Sequence, residues 1–336
     1  MIQRTLPICQ KLDWQDELRQ LITTPEALFE LLDLPSHYLK QAKKAHALFP
    51  VRVTLSFIRA MQKGNINDPL LKQILPLGQE LTQKKGFTDT PLEEEDFNAI
   101  PGIIHKYHGR VLLIAATQCA INCRYCFRRN FDYTANTLSK AQWQNIFNYI
   151  SNDESIEEVI FSGGDPLAMP DTLFSWAIRE IEKIPHITRL RIHSRIPIVL
   201  PSRITKTLSR TLKYTRLDVA LVIHSNHAQE ITTEVKEALN ILKAANVVLL
   251  NQSVLLKGVN DNSDTLSQLS KTLFAAGVIP YYLHLLDKVN GASHFDTDKA
   301  HALQLINTLK NTLSGYLVPK LVRETPHAKS KTAIFS

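Results

Sequence analysis

The sequence lacks the features that would point to a membrane, secreted or repetitive protein. No apolar run approaches the roughly 18–20 residues that a helix needs to cross a bilayer. The first residues carry charges where a signal peptide would need an apolar stretch. There is no internal repeat and no low-complexity segment. With 44% hydrophobic and 21% charged residues, the composition is ordinary for a globular protein, and we expect a cytoplasmic protein with no membrane partner.

Cysteine is scarce, with four in 336 residues. Cys119, Cys123 and Cys126 lie close together, whereas Cys9 is isolated and is interpreted as incidental. This distribution excludes a disulfide framework and is typical of metal ligation in a reducing compartment. An ordinary electron-transfer [4Fe–4S] cluster uses four cysteines, so three would leave one iron open to a chelating molecule. A structural zinc site is the alternative, and it would need a fourth ligand.

The charge balance does not decide the partner. The chain has 39 basic and 32 acidic residues, a formal net charge of +7. Such an excess would suit a nucleic acid, but the basic residues are scattered. The larger cluster has the spacing of one solvated helix face, and it comprises Arg203, Lys206, Arg210, Lys213 and Arg216. The sequence therefore does not favour a nucleic-acid partner.

The first hundred residues are predicted to be helical. Apolar residues recur at helical spacing from residue 14 to about residue 62. Thr24 and Pro25 have the pattern of an N-cap followed by proline at the first helical position. The acidic stretch 90–102 (TPLEEEDFNAIPG) is interpreted as a linker before a second region.

Beyond residue 107, short β-rich runs alternate with amphipathic helices. Predicted strands cover 111–116, 158–163, 189–194, 217–224, 247–256 and 278–286, with a shorter one at 321–324. Predicted helices cover 139–151, 171–183, 202–213, 229–245, 263–276 and 297–313. Repeated βα units indicate a parallel sheet. Since roughly 215 residues are fewer than a full eight-unit barrel needs, we predict an incomplete (β/α)6 barrel over 101–325, with 326–336 as a separate C-terminal segment. A doubly wound open sheet is the alternative.

Two motifs at the ends of the first two strands resemble the radical S-adenosylmethionine (SAM) superfamily. The cysteine loop carries an aromatic residue, Tyr125, directly before its third cysteine. The second strand ends in a glycine-rich turn formed by Ser162, Gly163, Gly164 and Asp165. In that superfamily such a turn brings backbone groups to the methionyl amine of SAM.

From about Arg110 to Lys331 the chain resembles the lysine 2,3-aminomutases. The motifs that carry the resemblance are CxxxCRYCFRR, SGGDPL, RIHSRIPIVLPSRIT, NQSVLLKGVND, PYYLHLLD and PHAKSK. The similarity is strongest to shorter bacterial members that make (R)-β-lysine for modification of elongation factor P. It implies an isomerase that converts L-lysine to β-lysine with a [4Fe–4S] cluster, SAM and pyridoxal phosphate (PLP). It also implies an electron donor such as flavodoxin or ferredoxin, and a functional link to elongation factor P and its lysyl ligase.

The resemblance assigns roles to individual residues. In the family, a lysine five residues after a proline binds PLP, which selects Lys331 here; the family's glycines are missing from this segment, and Lys329 competes. Arg110 matches a PLP-contacting arginine, and Gln252 matches a position near the PLP phosphate. Without the resemblance, the lysines would be interpreted as a solvated basic tail.

Three further matches concern the substrate. Arg128 corresponds to the residue that clamps the substrate carboxylate, a role that suits the arginine fork. Asp287 corresponds to an aspartate that pairs with the substrate ε-ammonium, and Glu324 to a second carboxylate that is aspartate in longer enzymes. His284 replaces a tyrosine common in those enzymes. These two differences leave the product stereochemistry open.

Two other functions remain as alternatives at this point. A radical SAM enzyme that modifies RNA would show salt-sensitive RNA binding and no PLP. A non-catalytic iron–sulfur or zinc protein would not cleave SAM.

Overall fold

The computed structural model describes residues 13–335, so Cys9 lies outside the described residues. The described residues contain eleven α-helices: α1 Trp14–Arg19, α2 Pro25–Leu32, α3 Leu39–His46, α4 Leu55–Arg59, α5 Lys140–Ser151, α6 Asp171–Glu182, α7 Ile196–Val199, α8 Lys206–Lys213, α9 Thr233–Ala244, α10 Ser263–Ala275 and α11 Lys299–Thr312. Helix α2 begins as predicted, because the Thr24 hydroxyl accepts a hydrogen bond from the Ala27 N–H at 3.3 Å.

The same residues contain ten strands in one sheet: β1 Asn98–Ile100, β2 Ile103–Tyr107, β3 Arg110–Ala116, β4 Glu158–Gly163, β5 Arg189–Ser194, β6 Asp218–Ile223, β7 Val248–Val254, β8 Ile279–His284, β9 Lys320–Arg323 and β10 Thr332–Ala333. They are hydrogen-bonded in chain order, from β1 to β10. Strands β3 to β9 are parallel, whereas the β1–β2, β2–β3 and β9–β10 pairs are antiparallel.

This strand order separates the two predicted architectures. A doubly wound sheet reverses its strand order at a switch point, but here every strand pairs with the one before it. A parallel sheet that always adds strands in one direction curls into part of a barrel. The predicted incomplete (β/α)6 barrel is confirmed, and the short strand predicted at 321–324 extends it as β9.

The acidic stretch was wrongly predicted as a linker. A 3₁₀-helix, Glu94–Phe97, leads directly into strand β1, and β1, β2 and β3 form an antiparallel extension of the barrel sheet. Between β1 and β2 the chain turns at Gly102, which adopts a φ of +88° that favours glycine. The strands are too short to give a clear period-2 pattern, so the charge run dominated the prediction.

The helical N-terminal region shares its core with the barrel. Trp14 and Phe57 belong to the same buried apolar cluster as Leu113 and Ile192 of the barrel strands. The predicted helical run from 38 to 62 is interrupted between α3 and α4, where Pro50 disfavours helix and Val53 pairs with Ile22 in an isolated bridge.

The barrel strands have one apolar and one polar side. Residues such as Val111, Val159 and Leu190 are fully buried in the apolar cluster that includes the surrounding helices. Because side chains alternate along a strand, the intervening positions face the barrel interior. These positions hold partly buried polar residues, including Arg110, Glu158, Arg191, His193 and Gln252. A polar interior in a parallel barrel marks a ligand site, since such strands are otherwise apolar on both faces.

Candidate active site

The three clustered cysteines lie on the loop that follows β3. All three are partly buried free thiols. The N-terminal region fixes the loop, because Arg52 Nε donates to the Cys119 carbonyl at 2.8 Å and the Asn122 N–H donates to the Arg52 carbonyl at 2.9 Å. Burial raises the pKa of Cys119 well above its usual value and that of Cys126 to about 11. Metal ligation by this loop must therefore displace protons from the thiols.

A structural zinc ion at this loop would need a fourth protein ligand besides the three thiols. Within residues 13–335, the one group of three ligand-type side chains whose ligand atoms lie within 4.8 Å of one another is Glu93, Asp96 and His327, all of them exposed. Among these residues, no compact group of zinc ligands includes a cysteine.

The glycine-rich turn after β4 packs directly against the segment that leads to Cys119. The Gly164 N–H donates to the Ala116 carbonyl at 2.7 Å, and the Asp165 N–H donates to the Gln118 carbonyl at 2.8 Å. A Cβ atom on Gly164 would lie 2.5 Å from the Gln118 carbonyl oxygen, so this position requires glycine. Gly163 also needs glycine, because its φ is +111°. The turn and the cysteine loop thus form one unit.

The Asp165 side chain connects the glycine-rich turn to the end of strand β5. Its carboxylate accepts hydrogen bonds from the Ser194 hydroxyl at 2.6 Å and from the N–H groups of Arg195 at 2.8 Å and Ile196 at 3.0 Å. Burial raises its pKa to about 6, although these hydrogen bonds oppose the rise. The Asp165 side chain therefore fixes the turn through contacts inside the protein.

Arg128 forms hydrogen bonds with Ser162 and Glu94. Arg128 Nη1 donates to Ser162 Oγ at 3.0 Å, while Nε and Nη2 donate to the two carboxylate oxygens of Glu94, each at 2.7 Å. The Arg128 side chain is 8% exposed and that of Glu94 15%. This bidentate pair fixes the plane of the guanidinium group. Glu94 belongs to the stretch that the sequence predicted as a linker.

Lys331 lies at the barrel mouth and not in a solvated tail. The loop between β9 and β10 carries the 326–331 segment, and Lys331 Nζ lies 2.5 Å from Glu324 Oε2. Glu324 also accepts hydrogen bonds from the Tyr107 hydroxyl and, at 3.4 Å, from Lys106 Nζ. These partners lower the pKa of Glu324 to about 2, despite its burial. Lys329 is exposed.

The predicted PLP residues lie on β3, on β7 and on the loop between β9 and β10. The Arg110 guanidinium lies 4.7 Å from the centre of the Tyr107 ring, and Tyr107 bonds to Glu324, so Arg110 and Lys331 are linked through two side chains. Gln252 lies farther round the barrel on β7, paired in register with Tyr282 of β8. The structure thus brings Arg110 and Lys331 into one contact chain, whereas Gln252 lies on a neighbouring part of the interior wall.

Two interior histidines indicate that the site binds a polar ligand. The Nε2 atoms of His193 and His284 are buried and have no hydrogen-bond partner within residues 13–335. Burial, and to a smaller extent the Lys331 charge, lowers the pKa of His284 to about 3. Burial lowers the pKa of His193 well below its usual value, with further lowering by the cations Arg191, Lys331 and Arg128. The charges of Lys331 and Arg128 therefore both act on His193.

Asp287 follows β8 and completes the same site. Its pKa is raised to about 7, chiefly by burial; the Lys331 charge opposes this rise, whereas Glu324 and Glu94 add to it. Asp287 therefore lies within electrostatic reach of both the Lys331 pair and the Arg128 pair.

The sequence did not identify four side chains that organise this site: Glu94, Lys106, Tyr107 and Arg195. Glu94, Lys106 and Tyr107 lie in or beside the stretch interpreted as a linker, and their partners are distant in sequence. Arg195 directly follows β5, so the rule that ligands gather at the carboxyl ends of parallel strands could have identified it.

The comparisons with known proteins agree with this geometry. Residues 113–269 match the radical SAM superfamily. The match covers the cysteine loop and the glycine-rich turn, which together define the protein as one of the radical SAM class.

The full-length relatives give the particular family. The chain is 48% identical to the L-lysine 2,3-aminomutase of Haemophilus influenzae over 325 residues, which is 97% of this chain and 96% of that protein. It is 46% identical to the Escherichia coli enzyme of the same name over 331 residues, 98% and 96% of the two chains. The Clostridium subterminale L-lysine 2,3-aminomutase is 34% identical over 323 residues, 96% of this chain and 77% of that protein. The chain belongs to the lysine 2,3-aminomutase family, as its motifs predicted.

Among residues 13–335, no helix combines the length and the apolar character needed to cross a membrane.

Proposed function

We propose that this protein is an isomerase that converts L-lysine to β-lysine with a [4Fe–4S] cluster, SAM and PLP. The observation that carries the proposal is that the charge of Lys331 acts on both His193 and Asp287, and the charge of Arg128 also acts on His193. When bound, the cluster, SAM and PLP supply the radical chemistry and hold the migrating amino group, which no side-chain acid or base can do. The side chains of the protein position the substrate.

Arg128 has donors left for a substrate carboxylate. A guanidinium group carries five N–H donors. Glu94 takes two of them and Ser162 takes a third, which leaves one N–H on each terminal nitrogen of Arg128. Two donors on adjacent nitrogens suit the two oxygens of a carboxylate. Glu94 and Ser162 therefore orient Arg128 and do not compete for all of its donors.

The opposite end of lysine meets Asp287 and Glu324. Asp287 is buried with a raised pKa, so a nearby ammonium would stabilise its charged form. Lys331 Nζ forms an ion pair with Glu324. If Lys331 held PLP, Glu324 would be available to the substrate ε-ammonium. Arg128 at one end and two carboxylates at the other would set which carbon of the flexible substrate faces SAM.

Lys331 is proposed as the PLP lysine in preference to Lys329. A lysine that forms a bond to a cofactor inside the barrel must reach the interior, and Lys331 does so beside Glu324, whereas Lys329 is exposed. Arg110 and Gln252 would then contact PLP from the interior walls, and the turn Ser162–Asp165 would bind SAM beside Cys119, Cys123 and Cys126, the proposed cluster ligands.

The cellular context is also part of the proposal. Three thiolate ligands need a reducing compartment, which supports a cytoplasmic location. The cluster must receive electrons, so a small donor such as flavodoxin or ferredoxin is the proposed partner. The motif resemblance supports (R)-β-lysine as the product, passed to a lysyl ligase that modifies elongation factor P.

The direct test is an anaerobic assay. The protein is reconstituted with iron and sulfide, supplied with PLP, SAM, dithionite and L-lysine, and the products are separated by chiral chromatography. We expect β-lysine, and its loss in the Lys331→Ala and Cys123→Ala variants. Cleavage of SAM with unchanged lysine would refute the proposed substrate, and the handedness of any product tests the link to elongation factor P.

A further inference from the structure

A buried arginine lies directly beneath the cysteine loop. Arg195 follows strand β5, and its Nη1 atom donates to Cys123 Sγ at 2.8 Å. Its side chain is 7% exposed. None of the sequence motifs assigned it a role. This contact brings a charged N–H donor to one of the three clustered sulfur atoms.

The position of Arg195 is fixed from several sides. Nη1 also donates to the Tyr125 hydroxyl at 2.5 Å, and Nη2 donates to Gln73 Oε1 at 2.7 Å. The backbone N–H of Arg195 donates to Asp165, which anchors the glycine-rich turn. Because the donors are held before any ligand arrives, the contact with Cys123 needs no rearrangement.

The charge of Arg195 has one close protein counter-ion. Glu230 Oε2 lies 3.3 Å from Nη2, and the Glu230 side chain is fully buried. The sulfur of Cys123 is the other negative group in contact once it is a thiolate. Both interactions raise the pKa of Arg195, although burial opposes them, so the guanidinium stays charged. A fixed positive charge in a poorly solvated place acts strongly on its neighbours.

We propose that Arg195 sets the reduction potential of the cluster by donating a hydrogen bond to Cys123 Sγ. The inference rests on the proposed function, because it takes Cys123 as a cluster ligand. Reduction adds one electron to the cluster, and an N–H donor with a positive charge stabilises the more negative reduced state. Arg195 therefore raises the potential and makes the cluster easier for a weak biological donor to reduce.

The test is redox titration of the reconstituted protein without SAM, followed by electron paramagnetic resonance. Arg195→Gln removes the charge and should shift the midpoint potential to more negative values, lowering the ratio of reduced to oxidised cluster at least tenfold at a fixed potential, which is 59 mV for one electron. Glu230→Gln removes the counter-charge and should shift the potential in the opposite direction. The matched control is Arg191→Gln on strand β5, which precedes Arg195. The Arg191 guanidinium pairs with Glu158 at 2.8 Å, and its loss should leave the potential unchanged.

An unchanged potential in Arg195→Gln, or shifts of the same sign in Arg195→Gln and Glu230→Gln, would overturn the inference. If Arg195→Gln does not assemble a cluster, Arg195→Lys replaces it, because lysine keeps the charge but cannot reach Gln73, Tyr125 and Cys123 together. That variant should show a smaller negative shift, and an unchanged potential would again overturn the inference. If the wild-type protein makes β-lysine and the cluster potential of Arg195→Gln is unchanged, only the proposed role of Arg195 is refuted. A wild-type protein that binds no four-iron cluster refutes the proposed function as well.

Discussion

Lysine binding should depend on the protonation of Asp287. Burial raises the pKa of this carboxyl to about 7, and the neighbouring charges of Lys331, Glu324 and Glu94 alter it by smaller amounts. The charged form attracts the ε-ammonium of lysine, whereas the neutral form does not. Below pH 7, binding must therefore remove a proton from Asp287, and this step weakens the measured affinity.

The size of the effect follows from the pKa. Each pH unit below the pKa adds about 1.36 kcal/mol to the cost of ionising the group, which is a factor of ten in affinity. Because the group is half ionised at pH 7, going from pH 7 to pH 5 should weaken binding roughly fiftyfold. Above pH 8 Asp287 is ionised before the ligand arrives, so the affinity should level off.

The assay uses 6-aminohexanoate, which keeps the carboxylate and the terminal ammonium of lysine but has no α-amino group that could react or titrate. Its binding to the PLP-free protein is measured by calorimetry from pH 5 to pH 8 in buffers with different ionisation enthalpies. We expect one proton to be released on binding at pH 5 to 6. Asp287→Asn should bind weakly with little pH dependence, and hexanoate, which lacks the ammonium, should not gain affinity as the pH rises.

Equal affinity of the wild-type protein for 6-aminohexanoate at pH 5 and pH 8 would refute this account of Asp287. So would a pH dependence that persists unchanged in Asp287→Asn.

Three further variants test other parts of the site. Lys331→Ala should lose the covalent link to PLP while Lys329→Ala keeps it, as shown by borohydride trapping and peptide mass; labelling of Lys329 in the wild-type protein would reverse the assignment. Glu94→Gln should raise the KM for lysine roughly tenfold, because a charge-assisted hydrogen bond that orients Arg128 contributes about 1.5–3 kcal/mol. The iron content of this variant should not change, and an unaltered KM would contradict the orienting role of Glu94. Gly164→Ala should weaken SAM binding at least tenfold, about 1.4 kcal/mol, since its Cβ would lie 2.5 Å from a backbone oxygen; equilibrium dialysis showing normal SAM affinity would contradict the role of the turn.

Local patterns predicted much of the fold. The βα units from residue 110 onward repeat apolar runs of strand length, and the helices between them keep a 3.6-residue period, so their positions could be predicted within a few residues. The hairpin of β1 and β2 could not be, because its strands have only 3 and 5 residues and follow an acidic run.

The site also has parts that the sequence predicts and parts that it does not. Cys119, Cys123 and Cys126 lie close together in sequence, and their spacing favours a cluster over a zinc site. The pairing of Glu94 with Arg128 joins residues 34 positions apart, and that of Tyr107 with Glu324 joins residues 217 apart. Such contacts arise only when the barrel brings distant strand ends together, and no periodic pattern records them.

The central claim is that the protein moves the amino group of lysine from C2 to C3. The most direct measurement is NMR spectroscopy of the product formed from lysine labelled with ¹⁵N at the α-amino group and ¹³C at C3. The account predicts a product in which the ¹³C signal is split by a directly bonded ¹⁵N, also when unlabelled lysine is present in excess. A reaction that consumes SAM but leaves no ¹⁵N bonded to C3 would contradict the account.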